Sequence, residues 1–270
     1  MTYLFDPGNW EWLWTGNNLR FLLEGFLVNV EIAAIAIVFS LAFGLLLALT
    51  RLSKLRPLAI AAGVWVDVWR NLPLIFIILY LALVMPPSLQ DAYESVVPSF
   101  FPEALQSGRV FAGILGLVLY NSAVIAEIMR AGILSLDRGQ GEAAASVGLT
   151  YPQQMRYVIL PQGLRRMVPA TVSQLITLNK DTTLVSIIAI DEVMRHGRTL
   201  SSGFTAFVGG VEAPLLQVFI FIGLLFVVTN LALSRLSRRL EVRERKRTGG
   251  TAGPVSGLED QLALAVEARQ

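Results

Sequence analysis

Apolar residues in this chain come in long blocks separated by short polar stretches. A helix needs about 20 predominantly apolar residues to cross roughly 30 Å of hydrocarbon. Five blocks approach or exceed that length: about Phe26 to Thr50, Leu58 to Val84, Val110 to Leu134, Val168 to Ile190 and Leu215 to Leu236. The second is interrupted at Pro73, whose missing N–H and ring kink a helix, and the second and fourth carry charges. The pattern predicts an all-α integral membrane protein with five transmembrane helices. Residues 1–25 then form an extracytoplasmic or interfacial segment and 26–240 the membrane domain. Residues 241–270 read as a cytoplasmic, mostly disordered tail, with a helical turn or two near Leu262.

Composition agrees. Hydrophobic residues make up 54% and charged residues 16% of the chain, and the mean hydropathy is +0.60; a soluble domain of this size carries more charge. The absence of cysteine excludes disulfides, thiolate metal sites and cysteine nucleophiles. The single histidine, His196, builds no metal centre alone and reads as part of a solvated loop. Near the N-terminus, Asp6 and Glu11 precede any basic residue and Trp10, Trp12 and Trp14 stand where a signal would have its apolar core. The start therefore does not read as a cleavable signal, and the tryptophans suit the headgroup layer.

Charge sets an expected orientation. Arg51, Lys54 and Arg56 follow the first span, and Arg130, Arg138, Arg156, Arg165 and Arg166 surround the loop after the third. A basic run from Arg235 to Arg247 follows the fifth, whereas the opposite loops carry Asp91, Glu94 and Glu103, then Asp191, Glu192 and Glu212. Basic loops stay in the cytoplasm, which places the N-terminus outside and the C-terminus inside.

The longest cytoplasmic loop, about 135–167, contains Gly139, Gln140, Glu142, Ala143, Ala144 and Gly148, then Leu160 and Pro161. The alanines are strong helix formers that let a short helix lie close to a partner. Gly148 permits the left-handed geometry that ends it, and Leu160-Pro161 is expected to stop a second short helix. With Ala126-Glu127, Arg130, Gly132-Ile133, Ser135, Gln162 and Lys180-Asp181-Thr182-Thr183-Leu184, this set resembles the polar amino acid permeases of bacterial ABC importers, whose signature is the EAA loop. Thr183 departs from the serine more usual there.

That resemblance implies a five-helix permease of the type I (MetI-like) kind in the bacterial cell membrane. Its loop residues Gly139, Gln140, Glu142, Ala143, Ala144, Gly148, Leu160 and Pro161 would dock on a separate ABC ATPase subunit. An extracytoplasmic amino acid-binding protein, a second copy or a related permease, and an amino acid substrate complete the implied partners. Nucleic acid is not among them. The chain is not expected to be an enzyme or to hold a cofactor. None of its three lysines, Lys54, Lys180 and Lys246, follows a glycine, so it has no P-loop and ATP falls to the partner.

Ionisable residues inside the spans are the candidate pathway. Charges in hydrocarbon cost at least about 2.5 kcal/mol each and face cavities or one another. Asp67 and Arg70 share a face of span two and count to mid-bilayer, with Asn71 beside the Pro73 kink; Asn179, Lys180, Asp181, Thr182 and Thr183 count to a similar depth on span four. An amino acid presents both charges, so these residues and Tyr120 either contact substrate or, as Asp67 with Arg70 and Asp181 with Lys180 or a neighbour, pair with each other. Glu127 and Arg130 read as an ion pair supporting the loop, and Glu31 beside Asn29 as a structural residue near the outer end. Arg70 and Lys180 favour glutamate or aspartate. Two other classes are less consistent with the residues: a secondary transporter coupled through Asp67, Asp181 or Glu127, which has no use for the loop, and an intramembrane enzyme, for which no nucleophile and base have suitable spacing.

Overall fold

The computed structural model describes residues 7–202 and 213–247, and those residues are helical with no strand. The tail from Thr248 and the acidic Glu212 lie outside the described residues. Two parallel helices, α1 (Asn18–Arg51) and α6 (Gly108–Leu134), form the central pair. Around them stand α2 (Arg56–Asn71), α3 (Leu74–Val84), α9 (Leu160–Asp181) and α11 (Leu215–Arg247). Short helices cover the ends: α4 (Pro87–Val96), α5 (Glu103–Gln106) and α10 (Val193–Ser201) near the start of α1, α7 (Arg138–Ser146) and α8 (Tyr151–Gln154) near its finish.

Small residues let the central helices touch. A side chain at Gly44 would come within 3.0 Å of the Ser122 carbonyl oxygen on α6, and one at Gly163 on α9 within 3.1 Å of Ile133 Cα. Close backbone approach of this kind is how helices gain contact where lipid is as apolar as the side chains. The buried core falls into three layers. Leu47, Ala48, Val66, Ala126, Met129 and Met167 lie at the α7 end, and Ile32, Ala36, Ile78, Leu117 and Val185 in the middle. Trp12, Leu22, Val193, Leu200 and Val218 lie at the far end. Outward faces stay apolar, with Val38 and Phe39 on α1, Phe76 and Leu83 on α3, and Val227 and Val228 on α11 exposed.

α1, α6 and the first part of α11 are long and apolar enough to span, and the bent pair α2–α3 adds a fourth crossing if counted as one. The fourth expected span is helical but more polar, since α9 carries Ser173, Gln174, Thr177 and Asn179 among its apolar residues. α2 and α3 differ most from expectation: they meet at 101°, a corner rather than a kink. Leu72 (φ −85°, ψ 137°) and Pro73 are both extended, because proline pushes the residue before it out of the helical region. α11 is helical through Arg247, past the expected tail boundary at 241.

The N-terminal turn Pro7–Leu13 packs Trp12 and Leu13 onto the far-end core, while Trp14 is exposed. There too His196 departs from the solvated-loop expectation. Its ring stacks on Phe21 at 3.8 Å and its Nδ1 lies 2.7 Å from the Phe21 carbonyl oxygen, which makes Nδ1 the donor. Burial lowers its pKa below the ordinary value. The unfolded chain therefore binds the proton more tightly, so the stability His196 contributes is complete above about pH 6.5 and lost as the pH falls below it. The thermal midpoint in detergent should drop between pH 7.5 and 5.5, and His196→Gln should flatten that slope.

Candidate functional site

The loop between α6 and α9 is built by local signals. Asp137 caps α7, its Oδ1 accepting the Gly139 N–H at 2.7 Å. The helix ends at Gly148 (φ 82°), where the Gly148 N–H donates to Ala145 O and the Leu149 N–H to Ala144 O. A Cβ at Gly148 would meet nothing within 4 Å, so conformation and not space requires glycine. Glu142 and Ala143 are exposed and Ala144 turns inward at 4% exposure. Gln162 Nε2 donates to Gln140 Oε1 (3.0 Å), and Arg166 Nη1 to the Ser135 carbonyl (2.7 Å), tying both ends of the loop to α9.

Pro161 does not stop the second helix. α8 runs through a π-helical turn, Met155–Ile159, straight into α9, and the Leu160 N–H donates to Met155 O. In regular α-geometry the proline ring would clash with the carbonyl four residues back, and the wider turn removes that clash. Leu160 is half-buried and Pro161 exposed.

The segment after α9 is held from three sides. Asn179 is buried and donates to Asn230 Oδ1 on α11 (3.2 Å). Thr182 is fully buried, donating to Asn179 O and accepting from Asn29 Nδ2 of α1 at 3.1 Å. Asn29 also donates to Glu192 Oε2 (3.0 Å) and accepts the Val193 N–H (3.1 Å). Glu192, fully buried, caps α10 by accepting the Arg195 N–H. Thr183 donates to Lys180 O, while Lys180 itself is exposed. Among the described residues neither Lys180 nor Asp181 makes an ion pair. Tyr120 packs against the middle core layer. Sequence reasoning missed the Asn29–Thr182–Glu192 network; its one signal was a pair of polar residues, Asn29 and Glu31, in an otherwise apolar span.

Asp67 and Arg70 stand elsewhere. Asp67 faces Arg51 (3.7 Å) and not Arg70, and Asn71 Nδ2 donates to the Asp67 carbonyl. Arg51 is 22 residues beyond Asn29 on α1, about 33 Å along the helix, so the two charged groups do not share a depth. The count from Leu58 failed because α2 does not continue into α3. Glu127 bonds Arg130, and also Arg51 on another helix, at 2.6 Å.

Residues 40–246 match the family model described as "Binding-protein-dependent transport system inner membrane component", and the chain belongs to that family of membrane proteins. It is 37% identical over 227 residues, 84% of its own length and 95% of the relative's, to the Bacillus subtilis (strain 168) protein named "Probable glutamine ABC transporter permease protein GlnP". It is 31% identical over 233 residues, 86% and 97% of the two lengths, to "Glutamate/aspartate import permease protein GltK" of Escherichia coli O157:H7. Among solved structures it is similar to a chain of an amino acid ABC transporter crystallised with histidines (TM-score 0.66, 28% identity, covering 84% of this chain and 94% of that one). A chain of the MetNI methionine ABC transporter in an inward-facing form shares the fold (TM-score 0.55, 20% identity, 82% and 95% coverage). Family membership leaves the secondary-transporter reading without support.

Proposed function

We propose that this chain is the membrane-spanning, non-catalytic permease subunit of an ATP-driven importer of polar amino acids, with glutamate and aspartate the favoured substrates. The observation that carries the reading is the Asp137-capped, Gly148-terminated helix α7, which presents Glu142 and Ala143 to solvent at the basic end of the bundle. Counting α9 as the fourth of five spans puts the N-terminus outside and α7 in the cytoplasm, where an ATPase subunit would receive it. The exposed face of α9 carries Ser173, Thr177 and Lys180. Lipid penalises such a face, so a second permease copy or a related subunit covers it and the pathway runs along it. Lys180 there meets the substrate carboxylate, and Asp181 beside it offers the opposite charge. A binding protein delivers solute to the α10 end.

Co-purification in detergent with an amino acid importer ATPase tests this. The intact chain should retain the ATPase, and Glu142→Arg or Gly148→Trp should lose it while remaining monodisperse. Well-folded intact chain that binds no such ATPase would sink the reading.

A further inference from the structure

Arg51 is the last residue of α1, yet its guanidinium serves two other helices. Nη1 donates to Glu127 Oε2 on α6 at 2.6 Å, and Nη2 lies 3.7 Å from Asp67 Oδ1 on α2. Glu127 holds a second arginine: Arg130 Nε donates to Oε2 at 3.1 Å and Arg130 Nη2 to Oε1. Arg51, Glu127 and Arg130 are 22%, 22% and 28% exposed, so this carboxylate is largely withdrawn from water between two guanidiniums. An ion pair that only stiffened α6 would need no residue from α1.

The surroundings say what the cluster joins. α2 packs Val66 and Trp69 onto the apolar layer that α1 and α6 share at this end, and sets Trp65 edge-on to Phe43 of α1; the Arg51 cluster adds a polar fastening to that contact. α2 meets α3 at the 101° corner, so its axis does not continue into α3. On the other side, Arg130 lies one turn before the end of α6, Ser135 is held by Arg166, and α7 begins at Arg138. A continuous chain of contacts therefore runs from the exposed helix α7 to α2.

We propose that Glu127 is a positioning residue for transport. Clamped between Arg51 and Arg130, it fastens the α1–α2 corner to the loop end of α6, so that displacement of α7 by a docked ATPase moves α2. The inference rests on the permease reading above, and the two fail in different ways. If no ATPase docks on the intact chain, that reading fails.

The test uses the complex with its ATPase and binding protein in proteoliposomes, measuring uptake and the stimulation of ATP hydrolysis by loaded binding protein. Glu127→Gln and Arg51→Gln should keep the ATPase docked, yet lose stimulation and uptake by about tenfold or more. Glu127→Asp and Arg51→Lys, which keep the charges, should recover part of both. The chain has no cysteine, so spin labels at Val64→Cys on α2 and Arg138→Cys, the exposed first residue of α7, report their separation. ATP should change that distance in the intact complex and not in the Glu127→Gln complex. Stimulation and uptake within about twofold of the intact complex, with the ATPase docked, would overturn the proposal. If Glu127→Gln does not purify as a complex, Asp67→Asn, at a side chain 55% exposed, carries the same test.

Discussion

Glu192→Ala should lower the thermal midpoint in detergent by several degrees and take uptake down with it. Its carboxylate is fully buried and accepts from two helices: Oε1 from the Arg195 N–H (2.9 Å) and Oε2 from Asn29 Nδ2 (3.0 Å). Truncation removes a helix cap, about 0.5–2 kcal/mol, and leaves a buried donor unpaired, about 1–3 kcal/mol. Because the two effects share one side chain, a total of about 2–4 kcal/mol is expected. Burial also pushes the Glu192 carboxyl above its ordinary range, so a neutral replacement is tolerated. Glu192→Gln keeps an acceptor for one of the two donors and should regain more than half of the loss. A midpoint unchanged by Glu192→Ala would remove this residue from any account of how α10 is anchored. Thr182 loses part of its support in the same variant, since Asn29 holds both Thr182 and Glu192.

Lys180→Ala should behave in the opposite way, with stability retained and transport lost. The side chain is exposed and forms no ion pair among the described residues. Removing it leaves no buried group unpaired, and the thermal midpoint should stay within about a degree, as for surface substitutions generally. A hydrogen bond from an ammonium to a substrate carboxylate is worth about 1.5–3 kcal/mol, which corresponds to roughly a tenfold to hundredfold rise in KM for uptake. Lys180→Arg keeps the charge and should fall between the two. Full uptake by Lys180→Ala would take Lys180 off the pathway, and a parallel loss of stability would mean that it supports the fold.

The parts of this protein legible in the sequence are those decided within a few residues. Burial in hydrocarbon is a property of each side chain, so the positions of α1, α6 and α11 follow from composition alone. Helix α7 is also local: Asp137 caps it two residues away and Gly148 ends it by its own backbone freedom. Even the Glu127–Arg130 contact needs only a helix in which residues three apart are neighbours. The same local reading misplaced what depends on direction. Pro73 marks a break, but no neighbouring residue says whether the chain bends by a few degrees or by 101°. Pro161 reads as a stop, yet a π-turn ending two positions earlier lets the helix pass through it.

Only the tertiary structure could decide which polar groups meet. Asn29 bonds residues 153 and 163 positions away, and Arg51 bonds one 76 positions away. No periodicity encodes such pairs, because nothing within either segment says which distant polar residue the fold will bring to it. Buried polar atoms must find partners somewhere, so the sequence determined that Asn29, Thr182, Glu192, Arg51 and Glu127 needed them. The packing of α1 against α6, α9 and α10 decided which partners they found.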